Sequence, residues 1–246
     1  MSHRRPRRRG VSKVAGAAVA VLMAGLAFAS LGRSHAHPAT GAPIPTGPRP
    51  TVAAAAATPP APTPEAFARS RGLTLFLPTP TPAGVLYHQA SYHDAWTLHP
   101  LGQVSRNANR SMLDPPRDRP GPDYIVMSSR GRGTPATSAV DVVLPSGSPV
   151  AAPVSGRVTK AKPYVLYGRY RDWRVEILPT GRPDVRVVMI HLAEVQVRRG
   201  DRVSATLSVV GYPREFPFRS QVDDYLTGGD PHVHIEVTKP PSKAAS

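Results

Sequence analysis

His232-Val233-His234-Ile235-Glu236-Val237 alternates polar and apolar without a break. Side chains along a strand point to opposite faces in turn. His232, His234 and Glu236 therefore share one face, and Val233, Ile235 and Val237 share the other, which is the natural core side. Two imidazoles spaced i, i+2 on one strand can point into one cleft. That pattern makes this stretch a half-buried strand with chemistry on its open face.

The stretches around it read the same way. Residues 185–192 are almost continuously apolar, as suits a strand covered on both faces, and end in Met189-Ile190-His191-Leu192. Strict alternation there puts His191 on the face of Val185, Val187 and Met189. Trp173-Arg174-Val175-Glu176-Ile177 alternates as a half-buried strand should. Further short strands are read at Tyr124-Ile125-Val126-Met127, at Val140-Asp141-Val142-Val143-Leu144 before Pro145-Ser146-Gly147, and at residues 154–159. Arg199-Gly200-Asp201 makes a turn between Val195-Gln196-Val197 and the segment from Val203. No segment after residue 72 carries a useful helical period. The reading is an all-β fold, a compact antiparallel sandwich or barrel-like domain over residues 124–240, with a short tail at 241–246.

Five segments of this region carry a resemblance. They are Ser138-Ala139-Val140-Asp141-Val142, then Gly147-Ser148-Pro149-Val150-Ala151-Ala152-Pro153-Val154-Ser155-Gly156-Arg157-Val158, then His191-Leu192, then Val197-Arg198-Arg199-Gly200-Asp201-Arg202-Val203, and last Thr227-Gly228-Gly229-Asp230-Pro231-His232-Val233-His234-Ile235-Glu236-Val237. In order and spacing they resemble the lysostaphin-type zinc endopeptidases of peptidoglycan, a duplicated hybrid motif β domain. The resemblance implies that Asp141 and His234 are zinc ligands. It implies that His191 and His232 are unliganded imidazoles that orient the attacking water and stabilise the oxyanion. One member departs from the pattern: Thr137 stands where the family has a third metal-binding His, four residues before the Asp.

A catalytic zinc normally has three protein ligands and one open position. Asp141 and His234 alone would hold zinc weakly or not at all. The expectation is therefore a degenerate, zinc-poor module that binds peptidoglycan or regulates a wall hydrolase partner, as the family's amidase activators do. The alternative is an active zinc endopeptidase cutting cross-link peptides, its third ligand drawn from His88, His93 or His99, or from Asp223, Asp224 or Asp230. A biotin- or lipoate-carrying barrel shares some of these turns, but Lys160 and Lys162 do not sit at the required tight hairpin.

The rest of the chain concerns location. Arg4, Arg5, Arg7, Arg8, Arg9 and Lys13 precede an uncharged apolar run over residues 14–32. That is an export signal or a membrane anchor within residues 1–36. Small-x-small sites at Ala27-Phe28-Ala29 and Ser34-His35-Ala36 suit cleavage, while the length suits a span. Residues 37–64 are rich in Pro and Ala, with Arg49 the single charge, and favour an extended tether of roughly 80 Å. The formal net charge is +15; seven of the 31 Lys and Arg lie in residues 1–36, leaving 24 against 16 acids elsewhere. A basic exported body is drawn to anionic wall polymers or membrane surfaces. No zinc knuckle, helix-turn-helix pattern or aromatic-interleaved basic stripe supports nucleic acid as a partner. Cysteine is absent, so there is no disulfide and no thiolate site.

Residues 65–123 read as an N-terminal extension. Glu65-Ala66-Phe67-Ala68-Arg69-Ser70-Arg71 reads as a short helix and Leu73-Thr74-Leu75-Phe76-Leu77 as a strand, followed by breaks at Pro78, Pro80 and Pro82. Residues 85–101 hold His88, His93 and His99 with Tyr87, Tyr92 and Trp96, which either pack the extension against the main domain or line a groove. Residues 107–122 read as a polar, Pro-rich surface loop.

Overall fold

The computed structural model describes residues 63–91, 93–112 and 119–240. The signal or anchor, nearly all of the Pro/Ala-rich run, Tyr92 and the tail from 241 lie outside the described residues. Among the described residues no helix is long and apolar enough to cross a membrane.

The described chain is β-structure with one 3-10 turn at Val222–Asp224. Its strands are β1 (Ala66–Ser70), β2 (Leu73–Phe76), β3 (Gly84–His88), β4 (His99–Pro100), β5 (Val104–Asn107), β6 (Tyr124–Val126), β7 (Ala139–Val143), β8 (Val150–Ala151), β9 (Gly156–Leu166), β10 (Tyr170–Pro179), β11 (Arg186–Ala193), β12 (Arg202–Val203), β13 (Val209–Pro213) and β14 (His232–Thr238). A large sheet runs in the order β12-β9-β10-β11-β14-β7-β3-β6-β5, and β2-β1-β4 forms a small one. The all-β expectation holds, and the sheet is antiparallel from β12 to β3. It is not antiparallel throughout: β6 runs parallel to both β3 and β5.

The segment read as a helix at 65–71 is strand β1. Arg71 and Gly72 both have positive φ, 51° and 76°, which makes the tight turn that pairs β1 back onto β2. That hairpin buries Phe67 and Leu75 completely, and this long-range packing overrides the local helix propensity of the run.

One face of the large sheet is the core. Val85 and Tyr87 of β3, Val140 and Val142 of β7, Val233, Ile235 and Val237 of β14, and Val187 and Met189 of β11 all pack there. Gly156 fits a close crossing against β10: a Cβ there would lie 2.2 Å from the Leu178 carbonyl oxygen. The Gly200-Asp201 turn ties β12 to β9, with Asp201 Oδ2 accepting from Arg198 N at 2.8 Å and Gly200 N donating to Val158 O at 2.8 Å.

The opposite face carries the polar residues. The register pairs His234 with Asp141 and Asp141 with Leu86; the next row pairs Glu236 with Ala139 and Ala139 with His88. His88, Asp141, His234 and Glu236 therefore share that face on three adjacent strands. Ala139, between Glu236 and His88, has no bulk to block the diagonal from His88 to Asp141.

Candidate metal centre

On this face a cavity of about 740 Å³ opens between the β9–β10 hairpin and the loop after β13. Asp141, His191, His232 and His234 line it together. Thr137 does not: it is buried, its Oγ1 donates to Leu98 O at 2.7 Å, and its own carbonyl accepts from Leu98 N at 2.8 Å. The residue at the expected ligand position is spent on holding the 98 region.

His88 reaches Asp141 instead. Its Nε2 lies 3.0 Å from Asp141 Oδ1, at an angle that makes no hydrogen bond. Its Nδ1 lies 2.9 Å from Gln89 O. A carbonyl oxygen only accepts, so Nδ1 carries the proton in the neutral ring and Nε2 presents a lone pair. Burial disfavours the charged ring and lowers its pKa. In the neutral ring this buried nitrogen is an acceptor lying beside a carboxylate oxygen, with no hydrogen-bond partner of its own. Two acceptors at this distance repel unless a cation lies between them.

His234 completes the set. Its Nδ1 is 2.8 Å from Asp141 Oδ1 and its Nε2 is 2.9 Å from Glu236 Oε1. Burial opposes its charge, but the hydrogen bonds to Asp141 and Glu236 outweigh that and raise it to about 9. Burial likewise opposes ionisation of Asp141, while positive charge on His88 and His232, when those rings are protonated, and the hydrogen bond from His234 hold its carboxyl well below the usual carboxylate range. One ligand atom from each of His88, Asp141 and His234 lies within 4.8 Å of the others. Two imidazole nitrogens and one carboxylate oxygen suit zinc. Both imidazoles already direct their other nitrogen to an oxygen acceptor, Gln89 O or Glu236 Oε1, as ligating histidines do. These residues fit such an ion on the orphaned Nε2 of His88 alone.

The other candidates lie elsewhere. His93 faces a separate cavity with Lys160, Arg174 and Glu236. His99 is exposed on β4. Asp223 accepts from Ser220 N at 2.6 Å, Asp224 pairs with Arg219 at 2.8 Å, and Asp230 lines pockets beyond the triad.

His191 departs from its expected face. The pairing of β10 with β11 steps from Val175↔Met189 to Trp173↔Leu192, one extra residue on β11. His191 also has φ +65°. This β-bulge turns His191 into the cavity with Val188 and Ile190, leaving Val187 and Met189 in the core. Sequence alternation alone does not reveal a bulge.

Three residues that the sequence reading does not name support His191. Asp172, 1% exposed, accepts from His191 Nδ1 at 2.7 Å, from Tyr164 Oη at 2.7 Å and from Leu192 N at 3.1 Å. Burial opposes its charge, and these donors, His191 foremost, nonetheless hold its pKa below the ordinary value. Phe216 packs edge-on against His191, with ring centroids 4.9 Å apart, and lies 5.0 Å from His232. The one available signal for Asp172 is its place on the strand face of Arg174 and Glu176. His232 sits with Nε2 3.8 Å from Asp141 Oδ2, and burial lowers it to about 4, so it is neutral near pH 7.

No family model matches the chain, and no curated protein matches it. Among solved structures the likeness is to lysostaphin and M23 peptidase domains. The solution structure of lysostaphin is 22% identical, with a TM-score of 0.32 over 44% of this chain and 37% of that one. LytU is 25% identical, with a TM-score of 0.34 over 45% of this chain and 66% of that one. A catalytic-domain variant of the prophage-encoded M23 protein EnpA from Enterococcus faecalis is 19% identical, with a TM-score of 0.31 over 56% and 81%. The chain spans 37% of the lysostaphin structure and just under two thirds of the LytU structure.

Proposed function

We propose that this protein is an extracytoplasmic zinc endopeptidase of cell-wall peptides, with His88, Asp141 and His234 as its metal ligands. The observation that carries the reading is the lone pair of His88 Nε2, 3.0 Å from Asp141. It supplies from a neighbouring strand the third ligand that Thr137 lacks. The wall as place of work rests on the five resembling segments and on the basic and apolar start of the chain, which acts as signal or anchor before the Pro/Ala-rich tether.

When bound there, zinc supplies a Lewis acid that acidifies water and polarises the scissile carbonyl. The chain's own residues do the rest. His191 donates its Nδ1 hydrogen to Asp172, which fixes the ring and leaves Nε2 to take the proton of the attacking water and pass it to the leaving amine. His232, neutral in its buried place, offers an N–H to the carbonyl oxygen as it becomes negative. Phe216 packs on both rings and keeps them from turning. Glu236 accepts from His234 Nε2 and so leaves Nδ1 as the ligand atom.

A second reading, a zinc-free wall-binding or hydrolase-regulating module, draws on Arg130. Its guanidinium lies 3.9 Å from Asp141 Oδ2 and offers that carboxylate a positive charge without a metal. Metal analysis and digestion of purified wall peptides separate the two. Near-stoichiometric zinc with hydrolysis that chelator stops supports the endopeptidase. Wall binding that persists in chelator, with no zinc taken up from excess, overturns it in favour of the second reading.

A further inference from the structure

We infer that the substrate peptide carries a free carboxylate near the bond that is cut, and that Arg130 and Arg132 receive it. This rests on the peptidase reading of the same cavity and names the class of peptide it takes.

Both arginines lie on the loop that follows β6, and that loop is fastened to the residue after His88. Gln89 Oε1 accepts from Ser129 Oγ at 2.9 Å and from Arg130 N at 2.7 Å, and its Nε2 donates to Thr134 O at 2.9 Å. Arg132 Nη1 donates to Gln89 O at 2.9 Å, the same oxygen that receives His88 Nδ1. The two guanidiniums are thereby set at a fixed place relative to His88. Arg130 is further steadied by Gln221 Oε1.

The charge lining the cavity is unbalanced. Four arginines, Arg130, Arg132, Arg174 and Arg219, face two carboxylates, Asp141 and Glu236. Both carboxylates are engaged by His234. Arg174 pairs with Glu176 and Arg219 with Asp224, each at 2.8 Å. Among the described residues Arg130 has one carboxylate neighbour, Asp141 at 3.9 Å, longer than a charge-assisted hydrogen bond. Arg132 forms no ion pair among the described residues. Two cations without a matched anion, in a concave site, concentrate field on whatever enters. A guanidinium fork fits a carboxylate with two parallel hydrogen bonds. The cavity is also lined by Phe216, Phe218 and Tyr167, which give a neutral peptide surface but no carboxylate to match the arginines. A chain-end carboxylate and a side-chain carboxylate share this chemistry.

The test uses four acetylated penta-alanine peptides bound to the full chain: one with a central Glu, one with Gln there, both amidated, and all-Ala peptides ending in a carboxylate or an amide. Binding is measured in chelator and again with zinc. At least one carboxylate peptide should bind about tenfold tighter than its neutral counterpart at low salt, with the ratio shrinking as salt screens it. The pair showing the ratio tells side chain from chain end. In R130Q/R132Q the ratio should fall to near one. R130K/R132K keeps the charge and loses the fork, so it should give an intermediate ratio and serves if the first variant does not fold. Equal binding of charged and neutral peptides by the unaltered protein, or a ratio unchanged in R130Q/R132Q and R130K/R132K, overturns the inference. Its failure is separable from that of the peptidase reading. Hydrolysis with no carboxylate preference removes this inference alone, and preference in chelator without hydrolysis or zinc uptake removes only the peptidase.

Discussion

Asp172 and Asp141 are both buried beside imidazoles, 1% and 3% exposed, yet they are satisfied in opposite ways. Around Asp172 every neighbour is a donor: an imidazole N–H, a phenol O–H and two backbone N–H groups. The network is closed, and its product is a fixed orientation for His191. Around Asp141, His234 donates, but His88 turns a lone pair toward the carboxylate. That network leaves His88 Nε2 without a partner. Buried polar groups are costly unless paired, so a closed cluster reads as a positioning device and an open one as a binding site.

The comparison breaks most visibly at His88. His88→Ala should weaken zinc binding by about a thousandfold or more, since loss of an outer-shell partner already costs about 10–100-fold. Competition against a chromophoric chelator measures it. An affinity for zinc equal to that of the unaltered protein would make the open cluster a mere packing contact.

Proton linkage sharpens the contrast next. In metal-free protein His234 is raised to about 9 from its ordinary 6.5. A raised folded pKa stabilises fully below the unfolded value and is lost as pH climbs through the folded one. Chelated protein should therefore lose stability between about pH 6.5 and 9, on the order of 3 kcal/mol. Zinc affinity should rise across that window, because the ligand nitrogen must shed its proton. Denaturant melts with and without chelator give both trends. A flat metal-free profile would remove the His234 bridge.

Asp172→Asn tests the closed side. It should lower kcat by roughly 100-fold, less than the loss seen when a triad carboxylate is replaced elsewhere, with zinc content unchanged. Asp172 has a depressed pKa, so its contribution is present above about pH 4 and disappears as pH falls further. The variant should flatten that acid limb. Lost zinc in Asp172→Asn would merge the two clusters into one.

Thr137→Ala should do least. It removes the hydrogen bond to Leu98 O, at a cost of about 1 kcal/mol in chemical denaturation, and should leave zinc affinity unchanged. A fall in zinc affinity would return Thr137 to the site.

What was legible in the sequence was local. Alternation over 232–237 gives the strand, its two faces and the shared direction of His232, His234 and Glu236. The Gly-Asp turn and the Pro-Ser-Gly stop are equally local. His88 was one candidate among six because its value depends on register: a one-residue slip of β3 against β7 would turn it into the core and Tyr87 outward. That register is set across some fifty residues of chain, including a parallel return through β6. Strict alternation puts His191 on the wrong face because its bulge leaves no mark in composition. The helix read over 65–71 failed for a similar reason, since the Arg71-Gly72 turn and burial of Phe67 act from outside the run.

The diagonal from His88 to Asp141 across Ala139 has a consequence for how such sites drift. A coordination sphere belongs to a patch of the pleated surface, and any strand crossing that patch can furnish a donor. On the proposed reading, a ligand can sit one strand to the side while the ion's surroundings stay put, provided the residue opposite it is small. A motif that demands a His at a fixed spacing before the Asp will score such a relocation as a loss. A bulkier residue at 139, directly opposite His88, would crowd that imidazole away from Asp141.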